Sequence, residues 1–162
     1  MDYTRNAGGA AIGARLRRLS EMVDGDTTRI YETLGIRFEQ RWFGVLNQLA
    51  LNGPATVSEL ASALRISHAS VSQTRQSLEQ EGIVLARPDP SDARRRTLKL
   101  SAAGRRLINQ MRPLWQALET AALELNAEAG NVTRALDRMD DALASVSMFD
   151  RVLKYLPSQT LK

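Results

Sequence analysis

The sequence predicts a mainly α-helical fold with a small β-wing, a winged helix-turn-helix whose N- and C-terminal helices form a dimerisation region. Three observations predict it. Residues 55–82 read as two short helices joined by a tight turn. Residues 83–100 read as a hairpin whose tip carries prolines, aspartates and three consecutive arginines. Outside both, apolar residues recur at spacings of three and four towards each end of the chain.

Taken in order, the stretch to about Asn6 reads as loose, and residues 9–23 as a short helix carrying Ile12, Leu16, Leu19 and Val23. Asp24-Gly25-Asp26-Thr27 predicts a break. A second helix then begins near Thr28, with Ile30, Leu34, Phe38, Trp42, Val45 and Leu49 on one side, until Asn52-Gly53-Pro54 stops it. Thr56 and Glu59 form a T-x-x-E capping box that opens the first short helix of the motif, in which Val57, Leu60, Ala61 and Leu64 face inward. Ser67 caps the next helix. There Val71, Thr74 and Leu78 gather on one face, and Ala69, Ser72, Gln73, Gln76 and Gln80 on the other.

Beyond the wing, Ser101 caps a long helix in which Leu107, Met111, Leu114, Leu118, Ala121 and Leu125 form a coiled-coil-like seam. Pro113 within it predicts a kink or break, because proline removes a helical hydrogen bond and clashes with the preceding turn. Gly130-Asn131 separates a final helix carrying Val132, Leu136, Met139, Leu143, Val146 and Leu153. Such seams bury themselves either within the monomer, around the helix of residues 28–51, or against a partner subunit, and a partner subunit is expected. The expected organisation is one chain, 1–162, with 9–27 and 105–156 as a helical dimerisation region and 28–104 as the DNA-binding lobe.

With 162 residues, 43% of them hydrophobic, the chain is long enough for a real core. It has no cysteine, which excludes disulfides, thiolate metal sites and thiol redox sensing. Neither a signal-peptide core nor a run near the roughly 20 apolar residues of a membrane span is present, so a cytoplasmic location is expected. The net charge of +4 is unevenly spread. Between Arg65 and Arg106, nine arginines and lysines stand against four acids, a net of +5, while the remainder carries 13 basic and 14 acidic residues. Basic charge confined to the motif is what phosphate binding by counterion release uses.

A helix surface of small and amide side chains fits closely into a major groove. Gln73 or Gln76 is suited to bidentate bonding with adenine, and Ser70 or Ser72 to bases or phosphates. Ser67, His68, Ala69 and Arg75 complete the candidate set on this helix. In the wing, turn chemistry explains the prolines and aspartates but not three adjacent arginines, which repel one another unless a polyanion or carboxylates lie near. Arg87 and Arg96 flank the tip, Asp92 is expected to orient Arg94, and Arg94 or Arg95 to reach into an adjacent minor groove.

At this point the chain resembles the MarR family of winged helix-turn-helix transcriptional regulators, closely over about residues 28–110. The resemblance is carried by Ser58-Glu59-Leu60-Ala61, Ser70-Val71-Ser72, Leu78-Glu79-Gln80-Glu81-Gly82, the wing from Arg87 to Arg95 and Leu100-Ser101-Ala102-Ala103-Gly104. It implies a homodimer joined through its first and last helices, a pseudo-palindromic double-stranded DNA operator, repression of transcription, and release by a small aromatic or phenolic ligand. Gln73 and Ala93 stand where such proteins commonly carry basic residues. The first favours adenine over guanine, and the second shifts the wing's charge to Arg94–Arg96.

For such a ligand, Tyr31, Arg37, Phe38, Arg41 and Trp42 are the candidate pocket residues, since arginine beside aromatic rings suits an aromatic carboxylate, although core packing also accounts for the rings. His68 is the only histidine and has no cysteine or second histidine to share a metal, so no metal and no cofactor are expected. Neither a nucleophile elbow, a phosphate-binding glycine loop nor a histidine-carboxylate set is present, and catalysis is not expected. The alternative is a winged-helix protein-interaction or architectural module without sequence-selective DNA binding.

Overall fold

The computed structural model describes residues 2–88 and 96–157. The chain divides into two compact units, 1–110 and 111–162. The first contains α1 (Tyr3–Asn6), a 3-10 turn (Gly8–Ala11), α2 (Ile12–Thr33), α3 (Trp42–Asn52), β1 (Ala55–Thr56), α4 (Val57–Leu64), α5 (His68–Gln80), β2 (Val84–Pro88) and β3 (Arg96–Leu100). A long helix, α6 (Ala102–Glu128), begins in this unit, and the second unit continues with α7 (Val132–Ser145) and α8 (Met148–Leu153).

The N-terminus is more ordered than its sequence predicts. Asp2 Oδ1 accepts from the Thr4 amide at 3.0 Å and the Thr4 hydroxyl at 2.7 Å, capping α1. The break expected at Asp24–Thr27 does not occur, and α2 runs straight through it. Polar residues of this stretch satisfy themselves within the helix. The Thr27 and Thr28 hydroxyls donate to the carbonyls of Val23 and Asp24, both at 2.9 Å, and Arg29 pairs with Asp26 at 3.2 Å.

The single helix expected from about Thr28 to residue 51 is instead two. Gly35, at φ +64°, ends α2: its amide bonds to the Glu32 carbonyl and that of Ile36 to the Tyr31 carbonyl, the pair of bonds that closes a helix on a left-handed residue. Apolar periodicity continues across this break because Phe38 and Trp42 still pack inward, which is why spacing alone hides it. The final helix is also two. Val146 is extended, and Ser147 caps α8 by accepting from the Asp150 amide at 3.1 Å. Arg151 holds α8 to the end of α7 through the carbonyls of Ala142 at 2.7 Å and Val146 at 3.0 Å. At Pro113 no break occurs, and α6 continues through it.

Within the first unit, α3, α4 and α5 contact one another, α3 contacts β3, and α5 contacts β2. Val45, Leu46 and Leu49 of α3, Val57 and Leu60 of α4, Val71 and Leu78 of α5, and Val84 and Leu98 of the strands form the buried core. The expected capping box is present: Thr56 Oγ1 accepts from the Glu59 amide at 3.2 Å while the Glu59 carboxylate accepts from the Thr56 amide at 2.7 Å. Arg65 takes the left-handed conformation, φ +53°, at the turn between α4 and α5. The wing is a three-stranded antiparallel sheet in the order β1-β3-β2, with Val84 opposite Leu100 and Pro88 opposite Arg96. β1, too short to be read from the sequence, adds Ala55 opposite Leu98.

Candidate nucleic-acid interface

Burial divides α5 as its sequence predicts. Val71, Thr74, Ser77 and Leu78 are buried, while His68, Ala69, Ser70, Gln73, Gln76 and Gln80 are exposed and Ser72 is half-buried. The helix begins where Ser67 Oγ accepts from the Ser70 amide at 3.1 Å, and the two hydroxyls lie 2.8 Å apart. The Ser67 hydroxyl thus caps the helix, and the Ser70 hydroxyl is engaged with it. The exposed amides of Gln73 and Gln76 on the outer face each offer a donor and an acceptor side by side.

Arg75 is placed differently from the rest of the candidate set. It is half-buried and paired with Glu79 one turn along the same helix. Opposite charges four residues apart meet on a helix surface, so this pairing was available in the sequence and weakens Arg75 as a phosphate ligand.

On the wing, strand alternation sends Leu85, Arg87, Thr97 and Lys99 to one face, and Val84, Ala86, Pro88, Arg96, Leu98 and Leu100 to the other. Val84 and Leu98 are buried, so Arg87 and Lys99 share the solvent face, and the exposed Arg96 ends the core-side row. Lys99, opposite Leu85, is thereby added to the candidates, and only the strand register shows that it shares a face with Arg87. Asp92, Arg94 and Arg95 lie outside the described residues.

The five candidate pocket residues are spread over the end of α2, the connection 34–41 and the start of α3. Tyr31, Phe38 and Trp42 come together in the core: the first two rings have centroids 5.0 Å apart, the last two 5.5 Å. Tyr31 donates its hydroxyl to Gln40 Oε1 at 3.0 Å, and Trp42 its indole N–H to Ser77 Oγ at 3.1 Å. Arg37 and Arg41 instead lie at the surface, paired with Glu81 and Glu39, each at 2.6 Å. The structure joins the aromatics but not the arginines to them. Among the described residues, no cluster of three or more histidines or acids has metal-binding geometry, and no helix is long and apolar enough to cross a membrane.

Two short helices with a left-handed turn between them, an exposed amide-bearing second helix and an adjoining basic hairpin define a winged helix-turn-helix protein. Residues 35–95 match the model of the MarR family. No curated protein matches in sequence. Among solved structures, the chain is similar to S. aureus MepR, determined as a DNA complex, at 18% identity over 82% of this chain and 98% of that one, TM-score 0.69. It is similar to BpsR of Bordetella bronchiseptica, whose DNA binding is regulated by 6-hydroxynicotinic acid, at 22% identity over 80% and 98%, TM-score 0.63. Similarity extends to NMB1585, a MarR family regulator from Neisseria meningitidis, at 22% identity over 91% and 97%, TM-score 0.62. At these identities the likenesses establish the fold.

Proposed function

We propose that this chain is a sequence-specific double-stranded DNA-binding transcriptional regulator, acting in the cytoplasm as a homodimeric repressor that a small ligand releases. It acts by binding and not by catalysis. The observation that carries the reading is the exposed face of α5, where Ala69, Gln73 and Gln76 stand clear of the core beside a hairpin bearing Arg87, Arg96 and Lys99. Small and amide side chains suit close approach to base edges, and the flanking cations suit phosphates. Ser72 and His68 adjoin that face, and Asp92, Arg94 and Arg95, which lie between β2 and β3 in sequence, belong to the same proposed set.

Residues 28–104 form the DNA-binding lobe in this reading, and 9–27 with 105–156 form the dimerisation region. Its support is apolar surface left without a partner: Ile12, Leu19, Met22 and Val23 on α2, Leu136 and Leu143 on α7, and Phe149 and Val152 on α8 are all exposed. A two-fold dimer buries such faces and presents two recognition helices to successive major grooves. Release by an aromatic or phenolic ligand rests on the family resemblance and on the regulation of BpsR by 6-hydroxynicotinic acid. Titration of phenolic and aromatic carboxylates against the preformed DNA complex tests that part.

The reading as a whole is tested by selection from a random duplex library at about 0.15 M salt, near the physiological ionic strength at which phosphate contacts are already screened. An enriched pseudo-palindrome with half-sites about one helical turn apart, carrying two chains, is the expected result. Binding without enrichment that disappears as salt rises supports the protein-interaction or architectural module instead.

A further inference from the structure

Between α2 and α3, residues 34–41 reach the recognition helix through polar contacts that do not belong to its groove-facing side. The Trp42 indole N–H donates to Ser77 Oγ at 3.1 Å, and the Ser77 hydroxyl donates onward to Glu39 Oε1 at 2.9 Å. Arg41 Nε donates to the other oxygen of the same carboxylate at 2.6 Å. Just past the last residue of α5, Glu81 pairs with Arg37 at 2.6 Å. Tryptophan, serine and carboxylate form a chain of donors all running one way, an arrangement in which each bond polarises the next.

Ser77 does not need this partner in order to be satisfied. A hydroxyl inside a helix can donate to the carbonyl four residues back, as Thr27, Thr28 and Thr33 all do on α2. On α5 the hydroxyl turns away from its own helix to Glu39, whose side chain is 45% exposed and fills no cavity. Such a bond contributes direction more than burial. The apolar contacts of Val71 and Leu78 fix how deeply α5 sits, yet hydrophobic attraction is non-directional and resists rotation weakly. On a helix about 10–12 Å across with its side chains, a rotation of about 20° moves the outer atoms by roughly 2 Å. That displacement breaks a bidentate bond between an amide and a base edge.

We infer that Glu39 is a positioning residue for base reading: acting through Ser77 and Trp42 it sets the rotation of α5 about its own axis, with the Arg37–Glu81 pair holding the end of the helix. The inference rests on the reading of α5 as the DNA recognition helix. Glu39 itself touches no base. Its effect falls on discrimination between sequences and not on the general attraction to phosphates.

The test compares wild type with Glu39→Ala, Glu39→Gln, Ser77→Ala and the Glu39→Ala/Ser77→Ala double variant. Each is titrated against a selected duplex and a scrambled duplex, and unfolding by urea is followed in parallel. Glu39→Ala and Glu39→Gln remove the same charge, so their electrostatic effect on DNA cancels in the comparison. Glutamine keeps an oxygen that accepts from Ser77, and alanine does not. The expected result is a selected-to-scrambled affinity ratio that falls about tenfold in Glu39→Ala, the scale of one hydrogen bond to a base edge lost when α5 rotates, and stays near wild type in Glu39→Gln. Ser77→Ala lowers the ratio similarly, and the double variant is no worse than either single one. The Trp42 indole proton resonance shifts in Glu39→Ala with the unfolding midpoint nearly unchanged.

Alanine and glutamine variants with the same ratio, or an alanine variant that keeps the wild-type ratio, overturn the inference. Loss of affinity for both duplexes alike also overturns it. A wild-type protein that discriminates no duplex overturns the DNA reading and this inference with it. Discrimination by wild type and equally by Glu39→Ala overturns the inference alone.

Discussion

Gly104 lies so close to the Ile83 carbonyl that a methyl group at position 104 would overlap its oxygen. The same carbonyl accepts from the Ser101 amide at 3.0 Å, the Ser101 hydroxyl donates to the Gly82 carbonyl at 2.6 Å, and Ser101 Oγ accepts from the Gly104 amide at 3.0 Å. One serine and one glycine therefore fasten the first turn of α6 to the base of the wing. Gly104→Ala should destabilise the protein by about 1–3 kcal/mol, the cost of forcing atoms into a closed contact. Gly25→Ala is the control, since Gly25 lies inside α2 with no atom near its would-be Cβ, and should stabilise by about 0.5–1 kcal/mol. Urea unfolding of both variants checks the pair, and equal shifts would show that the Ile83 contact yields freely.

Thr56 closes the capping box of α4 and pairs with Thr97 across the sheet. Thr56→Ala should cost about 1 kcal/mol, within the 0.5–2 kcal/mol range for lost helix caps, and Thr56→Ser should recover most of it. Denaturant midpoints measured for both variants decide, and an alanine variant as stable as the serine one would remove the cap from the account.

Asp2 titrates below the ordinary carboxylate range. The Thr4 hydroxyl, then the Thr4 amide and the Arg18 guanidinium, outweigh partial desolvation and lower its carboxyl from 3.8 to about 2. A folded value below the unfolded one means that its contribution to α1 is complete above about 3.8 and is lost as pH falls towards about 2. The Thr4 amide resonance should therefore move across that window, and Asp2→Asn should abolish the movement while leaving α3 to α5 unchanged. A transition centred at 3.8 would mean the cap is not formed.

Arg87 stands on the solvent face of the wing with Lys99. Arg87→Ala should weaken binding to all duplexes by a similar factor and reduce the slope of log affinity against log salt by about one. Affinities measured at several salt concentrations test this, and an unchanged slope would take Arg87 out of the phosphate-binding set.

Much of the reader lobe was legible because its signals are local. Thr56 and Glu59, Ser67 and Ser70, and Ser101 and Gly104 are each three residues apart, so their caps could be read from the sequence directly. The inward set Val71, Thr74 and Leu78 follows helical period alone. The pairing of Arg75 with Glu79 is equally local, four residues apart on one helix. What escaped was of two kinds. Asp24-Gly25-Asp26-Thr27 looks like a turn yet stays helical, because threonine hydroxyls and an ion pair satisfy it within α2. Leu34 to Trp42 looks helical yet is broken, because the apolar period survives a turn set by the backbone of Gly35. The Trp42–Ser77–Glu39 chain joins positions 35 and 38 residues apart, and no spacing rule reaches that far.

The central claim, that the exposed face of α5 reads base edges, is tested most directly by duplex selection with wild type and Gln73→Ala in parallel. The account predicts that the variant keeps the enriched pseudo-palindrome but loses preference at one position per half-site, a change of about 1–3 kcal/mol there. An identical motif from both proteins, or a variant weakened on every sequence equally, would contradict it.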